Sequence, residues 1–176
     1  MMKYTFHVLF ALILIGCGSE EPTSVTKEDS MDVHSFAQPD QARTTHLELD
    51  IDVDFDTKVI SGTARHTIEA ARGATQFIMD TRGLNIIKVT VDDADAGVTH
   101  QLTQEKGTMG RALVVPINST NTTVTVYYFT SPDAEALGWL DPEQTADKTD
   151  PFLYTQGQAI LTRSWIPLQD SPGIRF

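Results

Sequence analysis

The sequence predicts an all-β fold for the larger part of the chain. From residue 45 onward, apolar and polar residues alternate in short stretches, which is the period of a strand with one buried face. Clusters rich in Asp, Asn, Gly and Ser separate these stretches, as turns do. With 176 residues, of which 40% are hydrophobic, the chain has the length of about one domain and can bury a core.

The first predicted strand is the stretch LELDIDVDFD at 47–56. Its apolar row is Leu47, Leu49, Ile51, Val53 and Phe55, and its opposite row carries Glu48, Asp50, Asp52, Asp54 and Asp56. Alternating aspartates also open a calcium loop, but that loop needs glycine at position 6 and glutamate at position 12. Counted from Asp50, those positions hold Phe55 and Ser61. The pattern favours a strand with a solvated acidic face, placed at a sheet edge where charge prevents unwanted pairing.

Further strands follow in order after a turn at 56–58. They are predicted at 59–70, 77–79, 85–91, 111–117 and 122–129, with Gly62 as a possible bulge. One short helix is predicted at 132–139, because Ser131 is a good cap and Pro132 suits the first helical position. A last apolar segment, 152–165, carries Gln156 and Gln158.

The N-terminus is predicted to be a targeting segment. Lys3 precedes an apolar run at 6–15, which has the length of a signal sequence and is too short to span a bilayer stably. The run ends in LIGC at 14–17, which resembles a bacterial lipobox with Cys17 as the lipidated residue. An ordinary secretory signal with a chance cysteine is the alternative. The sequence thus divides into a signal peptide at 1–17, a polar tether at 18–31 and a domain at 32–176.

Composition and motifs exclude several function classes. The net charge of −11, without any basic cluster, argues against a nucleic-acid partner. No H-E-x-x-H, G-x-S-x-G or glycine-rich phosphate loop is present, so the chain offers no metal ligands or catalytic residues of its own. The fragment at His66–Glu69 lacks a second histidine, and we interpret His66 as a partly exposed strand residue.

Five blocks together carry a family resemblance. They are DVHSFAQPDQARTTHL at 32–47, KVISGTA at 58–64, DTRGL at 80–84, LGWLDPEQTA at 137–146 and PFLYTQGQAILTRSWIPLQDSP at 151–172. Their order and spacing resemble the N-terminal domain of zinc aminopeptidases of the leukotriene-A(4) hydrolase and aminopeptidase N type. The resemblance covers about 32–176 and is weaker at 92–112.

The resemblance implies a saddle-shaped, mostly antiparallel and sandwich-like β-domain that packs on a separate catalytic domain. In that family the catalytic domain holds zinc through H-E-x-x-H and a distant glutamate, and none of these residues occurs here. We therefore expect a partial domain, incomplete at its C-terminus, with no cofactor of its own and no activity alone.

The resemblance also implies one site within this chain. The family's Gln-x-Gln-Ala segment lines the substrate cleft and matches Gln156, Gly157, Gln158 and Ala159. Carboxamides both donate and accept hydrogen bonds, and glycine allows close approach, so these residues suit the N-terminal end of a peptide. The alternative is that both glutamines are ordinary polar residues on one face of a strand.

The expected function is the substrate-flanking domain of an exported aminopeptidase. Its partners would be the N-terminus of a peptide substrate, the missing catalytic domain, and a membrane reached through the lipid on Cys17. Gly18 after the cysteine favours the outer membrane, facing the periplasm. A non-catalytic, lipid-anchored β-domain that binds a partner is the alternative function.

Overall fold

The structure is a computed structural model that describes residues 32–175. The signal peptide, Cys17 and the tether predicted at 18–31 lie outside the described residues. Within 32–175, nine strands account for most of the regular structure, and helix is confined to three short 3-10 turns. The strands are β1 (Ala42–Asp54), β2 (Val59–Ala70), β3 (Gln76–Thr81), β4 (Asn85–Val91), β5 (Gln101–Leu102), β6 (Arg111–Pro116), β7 (Thr123–Phe129), β8 (Leu137–Leu140) and β9 (Phe152–Thr155). The 3-10 turns are Gly107–Met109, Pro142–Gln144 and Thr162–Ser164.

The pairs formed by these nine strands are all antiparallel, which confirms the predicted fold class. Four strands form one sheet in the order β1-β2-β7-β4, and three form a second sheet in the order β3-β6-β5. Strands β8 and β9 form a separate hairpin. Side chains of the two larger sheets share one hydrophobic core, with Val124 and Val126 from the first sheet and Phe77 and Leu113 from the second. The fully buried Phe77 side chain contributes about 2–3 kcal/mol through its removal from water.

Strand β1 is at the edge of the four-stranded sheet, as its acidic face predicts. A register shift between Thr44 and His46 changes which residues point inward: Ala42 and Thr44 are buried before it, and Leu47 and Leu49 pack on the core after it. All four aspartates of the acidic row are exposed. Asp54 has a structural task, because its carboxylate accepts the backbone N–H groups of residues 56 and 57 and holds the turn into β2.

Gly62 is not a bulge, contrary to the prediction from sequence. It pairs in register with Ile51 on one side and Tyr128 on the other. The glycine is needed because its φ is 149° and a Cβ at this position would lie 2.8 Å from the Cα of Ile51. Real Cβ atoms essentially never approach backbone so closely. The bulge in this strand pair belongs to β1 instead.

We therefore expect Gly62→Ala to lower the free energy of unfolding by about 2 kcal/mol, through strain and displacement of the β1 edge. Gly73→Ala is the matched control. It also has a positive φ, of 82°, but nothing lies within 4 Å of the added Cβ. Urea unfolding of the two variants checks this, and an equal loss in both would show that the backbone angle alone matters.

The helix predicted at 132–139 is wrong. Two successive turns take its place. In the first, the Ser131 hydroxyl oxygen accepts the Asp133 backbone N–H at 3.2 Å and the Ser131 carbonyl accepts that of Ala134 at 3.1 Å; in the second, the Leu137 N–H donates to the Ala134 carbonyl at 3.0 Å. The chain then enters β8, because its apolar residues pair with β9. Cap residues alone do not make a helix when only two turns of chain are available and a strand partner lies downstream.

No helix among residues 32–175 is long and apolar enough to cross a membrane.

Candidate functional site

The four predicted site residues form a turn directly after β9, not part of a strand. Strand β9 ends at Thr155, and the chain turns from Gln158 onward. Gln156, Gln158 and Ala159 are exposed, and the peptide bond between Gln158 and Ala159 is cis. Neither glutamine side chain has a hydrogen-bond partner within the described residues. Both carboxamides are therefore free to bind a ligand. We call residues 156–161 the glutamine loop.

The glutamine loop is tied at both ends to one residue, Ala136. The Gln156 backbone N–H donates to the Ala136 carbonyl at 2.8 Å. At the other end, the Ser164 hydroxyl donates to the Leu161 carbonyl at 2.7 Å and accepts the Ala136 N–H at 3.0 Å. A further bond, from Leu161 N–H to the Gly157 carbonyl at 2.8 Å, closes the loop on itself. The fold thus holds this exposed loop at Gln156 and at Leu161, and one internal bond closes it.

Arg163 fixes the 3-10 turn that follows the loop. Its side chain is fully buried, and its guanidinium donates to the Asp170 carboxylate at 3.0 Å, to the Met109 carbonyl at 3.1 Å and to the Asp170 carbonyl at 3.0 Å. It also forms an ion pair with the buried Asp80 at 3.5 Å. Buried charge is tolerated here because each guanidinium nitrogen has a partner.

Asp80 joins three separate segments of chain. Its carboxylate accepts the Ser35 hydroxyl at 2.6 Å, the Phe36 N–H at 2.7 Å and the Asp170 N–H at 2.9 Å. Burial raises the pKa of this carboxyl, while its hydrogen bonds and Arg163 oppose the shift. The residue is structural, because its side chain is fully buried and both carboxylate oxygens accept hydrogen bonds from protein groups.

His66 is fully buried, so the predicted partly exposed histidine is wrong. Its Nε2 lies 3.0 Å from the Pro167 carbonyl, which can only accept, so Nε2 carries the proton. Its Nδ1 then accepts the Thr44 hydroxyl at 3.1 Å. Burial lowers the pKa of His66 to about 4. The signal was available in the sequence, because His66 has the same parity along β2 as the buried Ile60, Ala64 and Ile68.

Gln169 completes the attachment of the segment that follows the loop. Its amide accepts the Thr44 N–H and donates to the Ala42 carbonyl, each at 2.9 Å, in place of a missing strand partner. Leu168 forms a two-residue bridge with Asp80. Residues 166–170, which we call the strap, therefore contact both larger sheets. No role for these residues was predicted from sequence, since a buried glutamine cannot be distinguished from an exposed one by its type.

The described residues do not fit a zinc site. Among residues 32–175, no group of three or more His, Cys, Asp or Glu side chains is placed to hold a metal ion. His66 has both ring nitrogens engaged, and Asp80 has both oxygens engaged by protein donors. An open cavity of about 460 Å³ lies along the β8–β9 connection, but none of the four glutamine-loop site residues lines it. The candidate site is thus an exposed polar loop outside this cavity.

Comparison with known proteins gives relatives for most of this chain. It is 37% identical over 161 residues to the leukotriene A-4 hydrolase of Xenopus laevis, which covers 82% of this chain and 24% of the relative. It is 35% identical over 136 residues to leucine aminopeptidase 2 of Kluyveromyces lactis, covering 76% of this chain and 20% of the relative. The chain therefore spans about a quarter or less of the length of these relatives.

Two solved structures superimpose on most of this chain. Yeast LTA4 hydrolase in complex with bestatin superimposes with a TM-score of 0.76 at 25% identity, over 85% of this chain and 24% of that one. The M1 zinc metallopeptidase of Deinococcus radiodurans shares the fold with a TM-score of 0.53 at 14% identity, over 77% of this chain and 31% of that one. The family description that matches residues 43–175 is the peptidase M1 N-terminal domain. On these grounds the chain belongs to the peptidase M1 N-terminal domain family.

Proposed function

We propose that this chain is the substrate-flanking N-terminal domain of an exported, lipid-anchored zinc aminopeptidase. The observation that carries the proposal is the family match across residues 43–175, with relatives that are named as aminopeptidases. The glutamine loop supports it, because two free carboxamides are presented to solvent on a well-anchored turn. In the intact enzyme this loop would form one wall of the cleft, and residues outside this chain would hold the zinc.

Gln158 is the best candidate to bind the α-ammonium group of a peptide. Its carbonyl oxygen accepts a hydrogen bond from an ammonium without adding a permanent charge, and its amide can donate to a peptide carbonyl. Gln156 stands two residues away with the same chemistry. A free α-ammonium distinguishes an aminopeptidase substrate from an internal peptide bond, so amides at this point contribute to specificity for chain ends.

Replacing Gln158 by alanine should weaken binding of a tripeptide with a free N-terminus about tenfold, which corresponds to one hydrogen bond to a charged group. Gln101→Ala, an exposed strand glutamine remote in sequence from the loop, should leave binding unchanged. The affinities are measured by NMR titration of the 176-residue chain with trialanine and with N-acetyl-trialanine. Equal affinity for both peptides would contradict a role for the loop in binding the amine.

The 176-residue chain alone should not hydrolyse an aminoacyl-p-nitroanilide, with or without added zinc. The reason is that residues 32–175 supply no cluster of metal ligands. Turnover is followed by release of p-nitroaniline, with a complete aminopeptidase of this family as the positive control. Turnover that co-purifies with the folded chain through successive columns would overturn this expectation.

Export and anchoring through Cys17 form the remaining part of the proposal. Metabolic labelling with palmitate should mark the chain expressed in a bacterium, and Cys17→Ser should abolish the label.

Reading the gene beyond codon 176 is the decisive test of the enzyme. A frame that continues into H-E-x-x-H supports the aminopeptidase, and its absence would favour a lipid-anchored β-domain that binds a partner.

A further inference from the structure

We infer that Thr162 is a specificity-determining residue: it fills the space of a side chain at position 157 and presents its hydroxyl to the N-terminal end of a peptide. The ligand in this inference rests on the proposed function. The placement of the Thr162 side chain against Gly157 does not depend on any ligand. Nothing in the sequence pattern singles out Thr162.

Gly157 is crowded by its neighbour and is not selected by its backbone angle. Its φ lies outside the positive region that favours glycine. A Cβ built on Gly157 would lie 3.4 Å from the Thr162 Cβ and closer than 3.0 Å to the Thr162 Oγ1. The threonine hydroxyl therefore stands where the side chain between the two glutamines would begin.

The position of Thr162 is well defined. The Leu161 N–H bond to Gly157 closes the loop immediately before it, and the Thr162 carbonyl accepts the N–H groups of Trp165 and Ile166, each at 3.0 Å. The adjacent Arg163 is fully buried and held by Asp80 and Asp170. A β-branched side chain has few rotamers, so a fixed backbone restricts the positions open to the hydroxyl.

The Thr162 hydroxyl is available for a ligand. The residue is half-buried, and its hydroxyl has no hydrogen-bond partner among residues 32–175. It lies against Gly157, whose neighbours in sequence, Gln156 and Gln158, are exposed. A hydroxyl both donates and accepts, so with the two carboxamides it forms an uncharged polar surface that suits the ammonium and first carbonyl of a peptide.

Two substitutions at position 162 separate the hydroxyl from the shape of the side chain. Thr162→Val keeps the shape and removes the hydroxyl, and we expect trialanine to bind about fivefold more weakly. Thr162→Ser keeps the hydroxyl, and its affinity should stay within about twofold of the original. NMR titration of the 176-residue chain measures both. Unchanged affinity in Thr162→Val would overturn the contact with the ligand.

A double-mutant cycle tests the packing of Thr162 against position 157 without any ligand. Gly157→Ala should lower Tm by about 5 °C in the original background, because the new methyl overlaps the hydroxyl. The same substitution in a Thr162→Ala background should cost less than half of that shift. Additive losses would overturn the packing.

If the original chain fails to bind trialanine, the proposed function fails and so does the role of Thr162 in specificity, whatever the cycle shows about packing.

Discussion

Replacing Arg163 by methionine is expected to lower the free energy of unfolding by about 3–5 kcal/mol, a larger loss than we expect from Gly62→Ala. The guanidinium is fully buried and faces the carboxylates of Asp80 and Asp170. Methionine retains the apolar stem but leaves Asp80 buried without its cation, and it leaves the Met109 carbonyl without its donor. Breaking a buried ion pair from one side has this cost because an uncompensated charge remains.

Two further variants make the Arg163 result specific. Arg43→Met removes an ion pair with Glu69 at the exposed surface of β1 and β2, and it should cost less than about 1 kcal/mol. Adding Asp80→Asn to Arg163→Met should recover about 1–3 kcal/mol, since the stranded charge is then gone. Urea midpoints give all of these values. A loss in Arg163→Met no larger than in Arg43→Met would mean that the buried network contributes no stability.

The second large effect is a loss of stability in mild acid that arises from His66. The folded pKa is about 4 and the ordinary value is 6.5, so the folded protein binds fewer protons than the unfolded chain between these limits. Stability from this group is complete above pH 6.5 and is lost as the pH falls towards 4. The loss from pH 7 to pH 5 is about 2 kcal/mol, and it reaches about 3 kcal/mol at pH 4.

His66→Gln is the variant that isolates this titration. A glutamine amide can still donate to the Pro167 carbonyl but cannot take up a proton in this pH range. Between pH 7 and pH 5, the free energy of unfolding should therefore fall by about 2 kcal/mol less in this variant than in the original chain. Carboxylates affect both proteins alike, so the difference reports on His66. Parallel pH profiles would show that His66 is not neutral in the fold.

Much of the sheet structure could be predicted because alternation is a local property of the sequence. Strands β2 and β4 have the bounds that the pattern predicts, and the acidic row correctly placed β1 at an edge. The helix at 132–139 failed because cap residues describe only one end of an element, whereas β8 is set by pairing with a strand that comes later. The prediction of a bulge at Gly62 was wrong because a glycine in a strand is selected either by a bulge or by the close approach of a neighbouring strand, here β1.

The candidate site could be predicted only in part. The family resemblance proposes the glutamine loop on the chemistry of its amides, and its role in binding a peptide terminus stays a prediction. The residues that hold the loop were missed because their partners are distant: Arg163 reaches Met109, and Gln169 reaches Ala42. The type of a polar residue does not reveal whether it is buried, so the burial of these residues is known only from the tertiary structure. His66 was the exception, since its parity along β2 already placed it inward.

The strap has a consequence for when the site exists during folding. Its hydrogen bonds join residues 90 to 127 positions apart in sequence: the Asp170 N–H to Asp80, and the Gln169 amide to Ala42. Contacts that close such long stretches of chain form only after their entropy cost is met by the rest of the core. The glutamine loop should therefore gain its geometry in the last, cooperative step. Amide exchange at Thr44, which donates to Gln169, should then proceed only through global unfolding and serve as a reporter of an assembled site.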